Sequence, residues 1–364
     1  MARPIRARID TAAFRHNYLF AKARAPQSRA WCVLKANAYG HGLARCAEAV
    51  RDVADGFALL DLADASWLRE AGFLQPILLL EGCFDGSELH IAAKLNLSIV
   101  VHAAPQLDAL EAAVLAQPLD VFLKVNTGMN RLGFVPLDMP LALARLRACG
   151  NVRSVTLMTH FACADGEGES IAPQWACFSE AIEGARLPFS ASNSAALLRF
   201  PQTHGAWVRP GIMLYGASPM PALQSAADIG VQPVMTLTSE LIAVQTLEPG
   251  QHVGYGATFT ADRMMRIGVV ACGYADGYPR HAPTSTPILV NGTRTRILGR
   301  VSMDMLACDL SALPDAAIGS RVTLWGEGLS ADEVATAAGT ISYELFCALA
   351  ARVPVVTTTG GKNG

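Results

Sequence analysis

The chain runs to 364 residues, 51% of them hydrophobic and 16% charged, with a formal net charge of -2. Such length and apolarity exclude a disordered chain and call for one large or two ordinary domains with sizeable cores. The near-neutral balance excludes the electrostatic footprint of a protein that grips nucleic acid or an anionic membrane, and it suits a small neutral or zwitterionic ligand.

Met1 to Asp10 alternate arginine with Ile and Ala and lack the apolar stretch of a secretory signal; a strand is assigned to 1–9. No apolar run nears the roughly 20 residues that span a bilayer, so membrane insertion is not expected and the cytoplasm is the expected location. From Trp31 onward, short apolar runs alternate with longer stretches of helical spacing. The runs are 31–35, 56–60, 76–80, 97–101, 121–125, 154–159, 188–191 and 207–210. Between them, segments such as 104–116 (Leu107, Leu110, Ala113, Val114) and 137–148 repeat apolar residues every 3.6 positions. Eight strand-then-helix units over roughly 200 residues match a (β/α)8 barrel, a TIM barrel, whose strands read as unbroken apolar runs because helices cover them. A doubly wound sheet is the rival. It calls for a Gly-rich nucleotide turn after the first strand, and Lys35-Ala36-Asn37-Ala38-Tyr39-Gly40-His41-Gly42 lacks that spacing. The barrel domain is set at 10–230.

Beyond about residue 230 the rhythm changes to strands without long helices, at 235–244, 266–272, 287–290, 294–298 and 321–324. Asn291-Gly292 between two of them is a hairpin signal. A C-terminal, mostly β domain over 231–364, joined by the strand at 1–9, is expected. The Thr/Gly-rich tail at 357–364 is expected to fray. The nine cysteines include no C-x-x-C pair, so no metal site is expected and they read as reduced, mostly buried thiols.

In a barrel of this type, reactive groups stand at the C-terminal ends of the strands. Those ends carry Lys35, Lys124 with Arg131 beyond it, His160, Ser194, and Arg209 with Gly211. Of the five lysines, Lys22, Lys94 and Lys362 read as solvated charges, whereas Lys35 and Lys124 sit in or at the end of apolar strands. A lysine there is costly unless paired or used, and desolvation lowers its pKa as a Schiff-base or proton-abstracting amine requires. Lys35 is therefore either functional or an ion-pair partner. The segments 192–196 and 209–212 offer hydroxyls and backbone N–H groups where such barrels often hold a phosphate, although Asn193-Ser194 also reads as an ordinary helix cap. With a buried lysine they point to a phosphorylated aldehyde cofactor.

The stretch Val33-Leu34-Lys35-Ala36-Asn37-Ala38-Tyr39-Gly40-His41-Gly42 resembles the pyridoxal-phosphate attachment motif of the alanine racemases. Similar blocks follow in order at 124–134, 158–161, 193–196, 209–216, 254–258, 273–278, 299–304 and 341–344. The resemblance thus covers both expected domains. It stops short at Arg352-Val353-Pro354, after which many relatives have a second arginine and a further strand; no strand is assigned there.

The resemblance implies interconversion of L-alanine and D-alanine by two-base proton transfer on a pyridoxal 5'-phosphate aldimine, supplying D-alanine for peptidoglycan. Racemisation needs one base on each side of a plane, and the cofactor supplies that plane and the electron sink. Lys35 would carry the cofactor and serve the D face, and Tyr255 of a second subunit the L face, so a homodimer with composite sites is implied. His160 would hydrogen-bond that tyrosine and link it to Arg209, which would face the pyridine nitrogen. Unaided, His160 reads equally as a satisfied strand-end histidine and Arg209 as a salt bridge. The phosphate would meet Tyr39, Ser194, Gly211, Ile212 and Tyr343, and the substrate carboxylate Arg131 and the Met303 N–H. Tyr274 and Arg300 would line the entrance, and Lys124 corresponds to a lysine carbamylated in some members. The competing readings are a broad-specificity amino-acid racemase or decarboxylase of the same fold, and a non-catalytic pyridoxal-phosphate-binding protein.

Overall fold

Strands rich in Val, Ile and Leu on both faces can only be covered from both sides, and this is how the first half of the chain is organised. A computed structural model describes residues 3–168 and 170–360. These divide into two units, one formed by 17–38 and 42–214, the other by 3–16, 39–41 and 215–360.

The chain opens with β1 (Arg6–Asp10), which belongs to the second unit. The first unit then places β2 (Arg29–Val33), β3 (Gly56–Leu59), β4 (Ile77–Leu79), β5 (Ser98–Val101), β6 (Leu119–Lys124), β7 (Val152–Met158), β8 (Phe189–Ser190) and β9 (Trp207–Val208). All eight expected runs are strands. They form one parallel sheet in the order β8-β7-β6-β5-β4-β3-β2-β9. Just beyond β8 and β9, the Arg209 N–H donates to the Ser192 carbonyl at 2.9 Å and draws the two ends together into a near-barrel. The intervening helices have local causes. Asp85 caps helix Gly86–Lys94 by accepting from the Ser87 and Glu88 N–H groups. Helix Ala104–Ala112 stops short of the expected residue 116, because Ala113 turns extended and the Asn151 amide takes the Leu110 and Ala113 carbonyls at 2.8 and 2.7 Å. Lys22 is not simply solvated: its Nζ donates to Asp55 Oδ1 at 2.6 Å.

In the second unit the spine is β10 (Met235–Leu247), antiparallel to β1, to β13 (Met265–Val270) and to β17 (Arg321–Trp325). A short hairpin, β11 (His252–Val253) with β12 (Phe259–Thr260), precedes β13. β14 (Pro287–Val290) and β15 (Thr293–Leu298) flank Asn291-Gly292, whose φ angles of 50° and 80° form the tight turn expected of Asn-Gly. β16 (Leu306–Asp309) completes that side. The region after Pro354 corrects the sequence reading: β18 (Val355–Thr358) pairs parallel with β1, so Thr357 and Thr358 belong to a strand, while 361–364 lie outside the described residues. All nine cysteines are free thiols; Cys32, Cys46, Cys83, Cys272 and Cys308 are buried, but Cys163 and Cys347 are exposed. Among the described residues no helix is long and apolar enough to cross a membrane.

Inside the first unit Trp31 stacks on Trp207 with ring centroids 3.9 Å apart and meets Phe122 edge-on. Gly56 makes room for it, since a Cβ there would lie 2.5 Å from the indole ring. Gly56→Ala is therefore expected to destabilise the protein by about 1–3 kcal/mol, as overpacking does. Urea unfolding followed by tryptophan fluorescence measures it.

Candidate active site

Leaving β2, the backbone does something unusual. Ala36, Asn37, Ala38 and Tyr39 take φ of 54°, 53°, 52° and 48°, a single left-handed turn without glycine. Each such residue costs roughly 1–2 kcal/mol, so the turn persists only because its flanks over-determine it. Ala38 N–H donates to Leu34 O at 2.8 Å, and Asn37 accepts from Gly42 N–H and Leu43 N–H, both at 2.9 Å. This turn fixes where Lys35 leaves the strand.

Lys124, at the last position of β6, is buried, and its amine is pulled down to about 8. Burial is the foremost cause, followed by the charges of Arg209, Arg131 and Lys35, with Glu81 working against them. Four of the expected cations thus share one field. Lys124, Arg131 and His160 line a common cleft with Val125, Asn126 and Thr127. Burial, then Arg209 and Lys124, push the His160 imidazole well below its usual range, so it is neutral at pH 7.

Arg209 is buried, and its two Nη atoms are held by four acceptors. Its guanidinium donates to Ser190 Oγ at 2.6 Å, to the Thr159 and Ala191 carbonyls at 2.7 and 3.0 Å, and to His160 Nδ1 at 3.4 Å. A guanidinium has no acceptor, so Nδ1 must accept and the His160 proton sits on Nε2. Burial draws Arg209 down to about 10, which leaves it cationic at neutral pH.

The sequence reading missed the buried polar shelf beneath these groups. Thr159 Oγ1 meets Thr127 Oγ1 at 2.8 Å and donates to Val125 O at 3.0 Å, while Gln174 accepts from Ala162 N–H and donates to His160 O. The detectable signal was a small polar residue at the end of an apolar run, as at Thr159 and Ser190. Ser194 and Gly211 are brought together, the Gly211 N–H donating to Ser194 Oγ at 2.8 Å. Asn193 is also the cap it resembled, accepting from Ala196 N–H.

Ile212, next to Gly211, is buried in the first unit, and the remaining expected residues lie in the second. Tyr39 stacks on Tyr215 at 4.7 Å and stands 5.8 Å from the Tyr343 ring, and burial pushes its phenol above the usual range. Tyr255 opens a short turn and is 73% exposed. The Arg300 guanidinium lies over Gly256 of that turn. The Tyr274 and Met303 loops are hydrogen-bonded together, Tyr274 N–H to Ser302 O and Ala275 N–H to Met303 O, each at 3.0 Å. Among the described residues the Met303 N–H donates to nothing.

Family models match in the same order as the two halves of the fold. Residues 9–219 match "Alanine racemase, N-terminal domain" and 234–357 match "Alanine racemase, C-terminal domain". The chain belongs to the alanine racemase family. It is an enzyme of the isomerase class. It is 57% identical to an alanine racemase of Nitrosospira multiformis over 98% of this chain and 100% of that one. Solved structures agree. The biosynthetic alanine racemase of Pseudomonas aeruginosa is 49% identical with a TM-score of 0.94, covering 98% of this chain and 99% of its own. The alanine racemase of Acinetobacter baumannii is 38% identical with a TM-score of 0.92, covering 98% and 100%.

The Lys124 amine gives a pH signature. Between pH about 8 and its ordinary value of 10.5 the unfolded chain holds a proton there that the folded chain has released. Its contribution to stability therefore rises with pH across that window. The urea midpoint of Lys124→Met, compared with the parent at both ends of the window, should lose that rise.

Proposed function

We propose that the protein interconverts L-alanine and D-alanine with pyridoxal 5'-phosphate, as a cytoplasmic homodimer supplying D-alanine for peptidoglycan. The observation that carries this reading is the Arg209–His160 bond, which holds a neutral imidazole with its Nε2–H free to serve a phenolate. Tyr255, so exposed in its own chain, suits a group delivered to a second copy. The donor set fits the cofactor. Lys35, Lys124, Arg131 and Arg209 share a field opposed by Glu81, an environment for an anionic phosphate and phenolate.

Lys35 would hold the cofactor, Tyr39, Ser194, Ile212 and Tyr343 its phosphate, and Arg209 its pyridine nitrogen. With the Gly211 N–H already on Ser194 Oγ, Gly211 acts by leaving the Ser194 hydroxyl hydrogen free to point at the phosphate. When bound, the cofactor supplies the electron sink that makes a Cα proton removable. Arg131 and the Met303 N–H take the substrate carboxylate, and Tyr274 and Arg300 narrow the entrance toward a methyl side chain. Lys35 Nζ then moves the proton on the D face and Tyr255 Oη of the second copy moves it on the L face. A hydrogen bond from His160 Nε2–H to that tyrosine's oxygen would orient it for the proton transfer. Arg209 keeps its proton and cannot hand it to the pyridine nitrogen, which limits how long charge rests there and suppresses transamination. An amine near 8 has the neutral fraction needed to add carbon dioxide, and a Lys124 carbamate would turn the surrounding cations from repulsive to attractive and orient Arg131.

Incubation with L-alanine in deuterium oxide should abolish optical rotation and place deuterium at Cα; retained configuration and protium would overturn the reading. Tyr255→Phe should lower turnover in both directions by about 10²–10⁴-fold. Borohydride trapping should label Lys35, and a label on Lys124 instead would reverse the assignment.

A further inference from the structure

Asp276 is a fully buried carboxylate that the chemistry above does not use. It ends the turn Tyr274–Asp276 and accepts the Gly273 N–H at 2.9 Å. Two arginines from distant parts of the chain close on it: Arg3 Nη2 on Oδ2 at 2.9 Å and Arg352 Nε on Oδ1 at 2.8 Å. Both arginines also hold the neighbouring loop. Arg352 Nη2 donates to Asp304 Oδ1 at 2.7 Å, and Arg3 donates to Asp304 Oδ1 and to its carbonyl at 3.2 and 2.9 Å. Arg3 reaches the Ala271 carbonyl as well.

The bonds converge on one junction. Gly273 lies so close to the Met303 loop that a Cβ would stand 2.3 Å from both the Ser302 and Met303 carbonyls. Ser302 N–H is taken by Met305 O and Met303 O by Ala275 N–H. Met303 is thus pinned on each side while its own N–H stays free. A buried carboxylate held by two partly exposed arginines is a poor source of stability, because desolvation of the one and solvent screening of the others offset the attraction. What it does supply is geometry, since two guanidinium forks fix angles that one contact would not.

We propose that Asp276, gripped by Arg3 and Arg352, is a positioning residue that sets the Met303 N–H and the Tyr274 ring for the substrate. This rests on the assignment of Met303 as a carboxylate donor made above. The test uses the full-length enzyme loaded with cofactor and the variants Arg352→Met, Arg352→Lys, the milder Arg3→Met, and Met303→Pro, which removes the N–H outright. Amide exchange at Tyr274 and Ala275 should quicken by about tenfold or more in Arg352→Met while β10 amides keep their rates. The KM for alanine should rise about tenfold with kcat changed less than about twofold, and Arg352→Lys should recover part of it. Unchanged exchange at Tyr274 and Ala275 in both Arg3→Met and Arg352→Met overturns the proposal. So does faster exchange with an unmoved KM when Met303→Pro raises KM. If Met303→Pro also leaves KM unmoved, the carboxylate assignment itself is wrong and the proposal falls with it.

Discussion

A guanidinium withdrawn from water must satisfy its donors within the protein, and the chemistry of the barrel unit depends on where Arg209 finds its partners. They are Ser190 and Ala191 at the end of β8, and Thr159 and His160 at the end of β7. Its own backbone N–H ties the seam through Ser192. One residue thus draws the sheet ends together, orders the loop after β7 and decides which imidazole nitrogen carries a proton. The sheet can be distorted at this seam only by stranding a buried charge, so the architecture and the protonation pattern are held by the same bonds.

The second constraint is an excess of positive charge in a dry place. Lys124 loses proton affinity because Arg209, Arg131 and Lys35 are near and water is not. Burial, and after it Arg209, Lys124 and the other cations, hold the His160 imidazole below its usual range. Repulsion of this kind is relieved by an anion, and the polar shelf of Thr127, Thr159 and Gln174 holds the His160 backbone beside the cations without adding a charge. The β unit works differently: there the exposed Tyr274 and Met303 stand on loops tied from behind through Asp276 and Asp304, and the exposed Tyr255 on a separate turn.

The barrel was legible in the sequence because each parallel strand must be apolar on both faces, and all eight runs announced themselves that way. The antiparallel unit was less so. β16 carries an alternating buried pattern only four residues long, and β18 is largely exposed, so neither makes a run. β18 exists because β1 offers it an open edge, a fact of tertiary pairing that local composition does not carry. At the site, Lys35 and Lys124 stood out as charges in apolar strands. Thr159 and Ser190 offered only the faint mark of a small polar residue closing an apolar run, and Gln174, inside a helix, offered none, because their role is to satisfy one guanidinium and one loop. The left-handed turn after Lys35 was equally hidden, since Ala36 and Ala38 are the last residues that propensity would place there.

The pairing of β1 with β10 and β18 also has a bearing on biosynthesis. Both hydrogen-bonding neighbours of β1 are translated long after it. Until then a nascent segment whose Ala7 and Ile9 will be buried is a bare template for other polypeptides. Arg6 and Arg8 alternate with those two apolar residues, so the waiting strand carries like charges that repel a second copy of itself. Arg8, which in the finished sheet pairs with Glu327 and Asp10, thus serves together with Arg6 as a guard in the interval before closure.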